Sequence, residues 1–323
     1  MTVTSDMARL HDLTEENRRT RDVAREREIL ALRHRVAVER LDDGGSIHPS
    51  EPAPIDLALE DGLATVHGSE LNAEVLRTAI TCYGSLLVRE LISAPDVERL
   101  VSVIDNVFAA FDASAASETP ANAWFSRFPG RDQSTDLTRA WLRTKGGVLT
   151  GDSPRGTFEI ADVFTDYGID ALAEKYLGQG PILSLDKWTI RRGTAENGIE
   201  WHQDGSFLGS EVRALNVWLA LSECGVDAPS LDIVPRRFDE IVATGTEGAN
   251  YSWSVSDDTV ARTVGADGWR RPRFGPGDAM LFDDKLLHRT GASPDMTQSR
   301  YAIETWFFAP SGDTSYIDVP LVL

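Results

Sequence analysis

Trp201-His202-Gln203-Asp204-Gly205-Ser206-Phe207-Leu208 is the stretch on which the reading of this chain turns. Strand side chains repeat every second residue, so a His and an Asp two apart on an extended segment point the same way. An imidazole nitrogen and a carboxylate oxygen then reach one metal ion together. A further candidate ligand, His288, stands far downstream in Leu286-Leu287-His288-Arg289-Thr290. Two His and one carboxylate on one face of a metal, with the other positions open, is the ligand set of non-haem Fe(II) oxygenases. Arg300, in Ser299-Arg300-Tyr301-Ala302-Ile303, offers a fork that grips a carboxylate through two parallel hydrogen bonds.

Taken alone, His-x-Asp is common by chance, and a structural hydrogen-bonded pair explains it as well. A buried Arg300 paired with Glu304 or Asp283 would also look the same in sequence. Context favours the metal. An apolar strand precedes the pair, a Gly-Ser-Phe turn follows it, and Gly275-Pro276-Gly277-Asp278 plus a strand lead to His288. The chain has only six His, and two stand where such a site needs them.

Around the motif the hydrophobic period is that of strands. Residues 181–192, 199–207, 214–221, 230–234, 273–274, 279–282 and 300–308 read as short strands between turns marked by Gly and Pro. Such a series argues a β-sandwich or barrel. With the metal pattern it predicts a double-stranded β-helix (a cupin-like jelly roll), mainly β, with N-terminal helices packed on one sheet.

Upstream the period is helical. Residues 8–41 are dense in charge and free of Gly and Pro, with a weak apolar seam at Val23, Leu30, Ala37 and Leu41. A solvated helix leaning on the domain is the plainer reading. A dimerisation arm, giving a homodimer, or a cover over the site is the other, and His11 and His34 fall on its surface. Residues 42–56 form a linker that contains His48. A helix over 71–82 and a strand over 83–91 come next. A helix capped by Ser93 then presents Val97, Leu100, Val101, Ile104, Val107 and Phe108 on one face. Residues 112–156 read as irregular, 164–178 as a helix, and 316–323 as an apolar tail that docks at an edge.

Composition sets outer limits. The chain has 323 residues, 41% of them hydrophobic, enough for an ordinary globular core. A net charge of −19 argues against a general nucleic-acid or anionic-membrane binder. Cys82 and Cys224 alone build neither a disulfide framework nor a Cys-rich zinc site, and they read as buried or inert thiols in a reducing cytoplasm. With no long apolar run and no signal-peptide order at the N-terminus, a cytoplasmic protein is expected.

These motifs, in this order, resemble the phytanoyl-CoA dioxygenase family of Fe(II)- and 2-oxoglutarate-dependent oxygenases over residues 80 to 310. The order runs from His-x-Asp to the strand Asn216-Val217-Trp218-Leu219-Ala220-Leu221, the Pro276-Gly277-Asp278 turn, the distal His and the Arg. The resemblance implies that His202, Asp204 and His288 hold Fe(II) and that Arg300 binds the far carboxylate of the cosubstrate 2-oxoglutarate. It implies that Thr290 assists Arg300 and that Trp218 lines the cosubstrate pocket. The implied reaction consumes O2 and 2-oxoglutarate, releases succinate and CO2, and oxidises an unactivated C–H bond of a small molecule, hydroxylation being its default. Related halogenases lack the carboxylate of Asp204, so its presence argues against halogenation. Residues 1–45 become a charged helical extension, and 46–323 one oxygenase domain.

The family's Pro-Gly-Ser-His reads Pro235-Arg236-Arg237-Phe238 here, so the resemblance does not carry a substrate across. Arg191, Arg192, Arg236, Arg237, Arg270, Arg271 and Arg273 form either a basic mouth for an anion or scattered surface charge. Trp124, Tyr251, Trp253 and Trp269 suit ring stacking if they converge. The rival classes are a silent jelly-roll binding protein and a metal-dependent isomerase or hydrolase on the same ligands.

Overall fold

Side-chain hydrogen bonds break the long N-terminal helix that the sequence predicts. The computed structural model describes residues 3–42, 54–116, 122–209, 211–265, 268–312 and 314–323. Within it, α1 (Val3–Arg19) and α2 (Val23–Asp42) form a hairpin. The Asn17 side chain accepts the Asp22 N–H at 3.0 Å, and Asp22 in turn accepts the Arg25 N–H at 2.8 Å. The second helix is thus capped anew without Gly or Pro. His48 and most of the expected linker, residues 43–53, lie outside the described residues.

β1 (Leu59–Glu60) and β2 (Leu63–His67) lead to α3 (Ala73–Tyr83), β3 (Ser85–Arg89) and α4 (Ala94–Ala116). The predicted face of α4 is core: Val97, Leu100, Ile104, Val107 and Phe108 are buried. The stretch read as irregular holds α5 (Gln133–Thr144), β4 (Gly147–Leu149) and the start of α6 (Pro154–Asp166). Asp132 caps α5 by accepting the Ser134 N–H at 2.6 Å. α7 (Ile169–Leu177) is separated from α6 because Gly168 takes a left-handed conformation, φ +65°. The strand expected over 181–192 is split by a tight turn at Leu185–Lys187 into β5 (Leu183–Ser184) and β6 (Trp188–Gly193).

Residues 199–207 are not a strand. His202 makes one bridge to His288, and the chain then turns into the short α8 (Gly205–Leu208). β7 (Ala214–Ala220), β8 (Ser230–Ile233), α9 (Asp257–Val264), β9 (Ala279–Phe282), β10 (His288–Gly291), β11 (Arg300–Phe308) and β12 (Pro320–Leu321) complete the chain. The expected strand at 273–274 is a single bridge between Phe274 and Cys224.

The large sheet has the order β1-β2-β3-β9-β7-β11-β6-β4, and β8 pairs with β10 in a second, small sheet. Alternation along the large sheet divides two cores. Leu86, Val217, Leu281, Ile303 and Phe307 face outward into the helices α3, α4, α6 and α7. Trp218, Met280, Phe282, Ala302 and Trp306 face inward with Leu231 and Ile233 of the small sheet. Strands covered on both faces read as nearly continuous apolar runs, as β7 does. This is the predicted jelly roll, with helices on one sheet. On its inner face the register sets Glu304 between Thr189 and Trp218, and Ala302 opposite Arg191.

The N-terminal hairpin packs into this body. Ile29, Leu30, Leu32 and Val36 are buried, and α2 contacts α6 and β12. Arg18 and Arg21 reach Asp162 and Glu159 of α6, which Arg99 of α4 also binds. Arg155 pairs with the buried Glu26 at 2.9 Å. His11 is exposed, whereas His34 is half-buried with Nδ1 2.8 Å from the Pro320 carbonyl. β12 docks on β5, as the apolar tail suggests. Cys224 is buried, but Cys82 is exposed, on the open side of α3. No helix among the described residues is long and apolar enough to cross a membrane.

Candidate metal centre

Two backbone hydrogen bonds set the imidazoles side by side: His202 N–H to His288 O at 2.8 Å, and His288 N–H to His202 O at 2.9 Å. Their ring centres are 4.3 Å apart. Each Nδ1 lies against a carbonyl, Glu200 O at 2.7 Å for His202 and Leu286 O at 3.0 Å for His288. A carbonyl only accepts, so each Nδ1 carries the proton and each Nε2 presents a bare lone pair to the interior. Asp204 Oδ1 is 3.4 Å from His202 Nε2, and Oδ2 is 3.8 Å from His288 Nε2.

All three side chains are buried, and their ligating atoms lie within 4.8 Å of one another. Asp204 Oδ2 has no hydrogen-bond partner among the described residues. A buried carboxylate oxygen without a partner is costly, and a divalent cation is the group that satisfies it together with two imidazole lone pairs. The donor set therefore fits Fe(II).

The three candidate side chains converge for a different reason from the strand alternation that suggested them. Asp204 is helical, with φ −65° and ψ −28°, so the carboxylate swings back toward His202 as the chain enters α8. Gly205 makes that turn possible, because a Cβ there would meet an Asp284 carboxylate oxygen and Ile241 Cδ1 at 2.8 Å. Gln203, between His202 and Asp204, is fully buried and points away. Its side chain donates to Lys285 O and Glu240 O and accepts the Val242 N–H at 2.6 Å. It ties the motif to two other loops, a role no periodicity in the sequence signals.

Electrostatics separates the imidazoles. Burial pushes both pKa values down, yet the hydrogen bond and charge of Asp204 raise that of His202 overall. His288 stays low through burial and its neighbour His202. Deeper on the inner face, Glu304 is bonded by Arg191, at 2.9 Å from Nε and 2.7 Å from Nη2. Burial raises the Glu304 carboxyl, but Arg191 overrides it and holds the pKa at about 2.

Arg300 takes neither carboxylate that would make it structural, since Arg191 holds Glu304 and Arg237 holds Asp283. It is 3% exposed, and its Nη1 donates to Ser230 O at 3.1 Å. Its Nε has no partner among the described residues, and its guanidinium lies 5.7 Å from the Trp218 ring centre. Burial and the charge of Arg191 lower its pKa to about 10, so it remains cationic at neutral pH. Thr290 Oγ1 accepts the Ile199 N–H at 3.1 Å. Thr290 pairs with Leu231, beside the Ser230 carbonyl that Arg300 uses.

A cavity of about 440 Å³ opens on the centre, lined by His202, Asp204, Arg191, Glu304 and the rings of Trp141, Phe207, Tyr251, Trp253 and Trp306. Arg300, Thr290 and Trp218 are not among its lining residues. Of the arginines that might form a basic mouth, only Arg191 lines it. Arg192 pairs with Asp105, Arg237 with Asp283 and Arg271 with Asp232. Arg236 and Arg270 bond the Thr263 and Asp61 carbonyls, and Arg273 is exposed. Of the four aromatics, Tyr251 and Trp253 converge on the cavity. Trp124 lies under Arg155, and Trp269 packs on Trp201.

No curated protein sequence matches the chain. Among solved structures, EctD from S. alaskensis with 2-oxoglutarate and 5-hydroxyectoine is 16% identical, covers 73% of this chain and 78% of its own, and gives a TM-score of 0.48. The non-heme α-ketoglutarate-dependent epimerase SnoN from nogalamycin biosynthesis is 15% identical over 73% of this chain and 81% of its own, with a TM-score of 0.44. Residues 80–300 match the family Phytanoyl-CoA dioxygenase (PhyH). The chain belongs to the phytanoyl-CoA dioxygenase family and is a 2-oxoglutarate-dependent non-haem iron dioxygenase.

Proposed function

We propose that this enzyme hydroxylates an unactivated C–H bond of a small molecule, with His202, Asp204 and His288 as the iron ligands. The observation that carries the assignment is the buried trio with its partnerless Asp204 Oδ2, opening on a cavity large enough for a substrate. Iron, 2-oxoglutarate and O2 supply the oxidation and release succinate and CO2. The protein's own residues hold and aim. The two Nδ1–H···O=C contacts keep both imidazoles in the ligating tautomer, and Gln203 fixes the loop between the ligands.

Arg300 supplies the buried cation for the far carboxylate of 2-oxoglutarate, with Trp218 beneath it and Thr290 close by. Asp204 supplies the carboxylate that related halogenases lack, which favours hydroxylation over halogenation. We propose further that residues 46–323 form the catalytic domain and that the hairpin before them acts as its buttress in a cytoplasmic enzyme. The buried apolar residues Ile29, Leu30, Leu32 and Val36 of that hairpin support the reading.

Anaerobic titration with Fe(II) and then 2-oxoglutarate tests the assignment. The weak visible charge-transfer band of the chelate should appear, and should vanish in His202→Ala. Iron binding with no band would remove 2-oxoglutarate from the account and favour an isomerase or a silent binding protein.

A further inference from the structure

The aromatic wall of the cavity carries information about the substrate, given the iron and 2-oxoglutarate assignment above. We propose that the substrate is an uncharged molecule with a flat ring system, docked against the Tyr251–Trp253 stack. The two rings lie 4.9 Å apart at 7°, and Trp253 stands edge-on to His202 at 5.5 Å and 78°. The wall thus abuts a metal ligand, and a C–H bond brought to the metal places the rest of its molecule along these rings.

Exposure points the same way. Trp141, Phe207 and Tyr251 are 39%, 42% and 39% exposed, and all three line this cavity. Large rings left in water at one mouth mark a surface that a ligand covers, each Å² of apolar area contributing about 25 cal/mol. The wall is also fixed before binding. Ser206 Oγ donates to Trp253 O at 3.1 Å, Gly245 N–H to Ser254 O at 2.9 Å, and Val255 N–H to Trp201 O at 2.8 Å. A preorganised stacking surface loses little on binding a rigid flat partner.

Charge excludes an anion. On the wall, Arg191 is neutralised by Glu304 and Lys187 by Asp186 at 3.0 Å. Summed over the proposed centre, the Arg300 cation, the Asp204 carboxylate, a metal dication and a dianionic cosubstrate leave no net charge. An anionic substrate would find no uncommitted counter-charge there. One buried donor on the wall is uncommitted among the described residues. Arg191 Nη1 is buried, has no partner among the described residues, and suits a carbonyl or hydroxyl oxygen on the ring.

Calorimetry on the anaerobic protein loaded with Fe(II) and 2-oxoglutarate tests this, with 2-naphthol, 2-naphthoate and decahydro-2-naphthol as probes. 2-Naphthol should bind at least about tenfold tighter than either the charged or the non-flat probe. Trp253→Ala and Tyr251→Leu should each weaken it by about tenfold, with recovery in Trp253→Phe. Equal binding of naphthoate, absence of naphthol binding, or insensitivity to both ring substitutions would overturn the proposal. The charge-transfer band recorded on the same samples separates failures. A band without these preferences sinks the substrate class alone, and no band sinks the iron and 2-oxoglutarate reading beneath it.

Discussion

Arg300→Met distinguishes a cosubstrate clamp from a structural cation. Arg300 is 3% exposed and, among the described residues, its guanidinium makes one hydrogen bond, to Ser230 O, while the neighbouring Glu304 belongs to Arg191. If its far side is reserved for a carboxylate, the substitution removes two charge-assisted hydrogen bonds formed only when 2-oxoglutarate is bound. At 1.5–3 kcal/mol for each such bond, with partial compensation by water, the loss is about 3 kcal/mol. That corresponds to a rise of roughly 100-fold in the KM for 2-oxoglutarate. Iron affinity should not change.

The apo-protein should keep its Tm or gain, because an unpaired buried charge is replaced by an apolar chain of similar length. A broken structural ion pair would instead cost about 3–5 kcal/mol. Succinate release against 2-oxoglutarate concentration, with scanning calorimetry of the apo-protein, reads both quantities. An unchanged KM with a Tm lowered by several degrees would refute the reasoning.

Three further outcomes follow from the packing. Asp284 has its carboxyl pushed up to about 7 by burial and by Asp283, from an ordinary 3.8. The folded state then holds that proton more tightly than the unfolded chain, so wild type loses stability as pH rises through this window. Asp284→Asn should show a Tm advantage that opens between those pH values and stays level above about 7, followed by thermal melts across pH. Gly84 sits at φ +84°, and a Cβ there would come within 2.4 Å of the Arg236 carbonyl oxygen. Gly84→Ala should therefore destabilise by at least about 2 kcal/mol in urea unfolding, since both the backbone conformation and the neighbouring chain must give. Removal of residues 1–42 should lower Tm by more than about 10 °C or yield aggregates on size exclusion, because it uncovers the partners of Ile29, Leu30, Leu32 and Val36. A truncated protein that melts like the full chain would show the hairpin to be a dispensable appendage.

The jelly roll was legible because β7, β9 and β11 are short apolar runs separated by strong turn signals. His202, Asp204 and His288 could be singled out because several motifs agreed, and the structure brings the three together through a helical turn at Asp204. What escaped was decided by side chains far apart in sequence. The break between α1 and α2 depends on Asn17 and Asp22, residues that inside a charged run look like ordinary helix surface. α5 is hidden in a stretch of Ser, Thr and Gly, and its Asp132 cap has no apolar run behind it. That Glu304 belongs to Arg191, leaving Arg300 uncommitted, is settled by cross-strand register, where one residue of slip would exchange the faces. The role of Gln203 depends on loops some forty to eighty residues away and has no local signature.

The contact between α2 and β12 bears on how the polypeptide is made. Arg33 Nη1 donates to Val322 O at 3.1 Å, and Val322 N–H donates to Arg33 O at 3.2 Å, across 289 residues of sequence. At ribosomal rates of about 5–20 residues per second, α2 waits roughly 15–60 s for the strand that covers it. Its contacts with α1 and α6 can form earlier, but the part of α2 that meets β12 stays uncovered through that interval, which makes the nascent chain a candidate for chaperone capture. Pairings this distant also place the protein among slow folders. A pulse of protease during cell-free synthesis should therefore cut the α2 region until residues 320–322 emerge, and spare it afterwards.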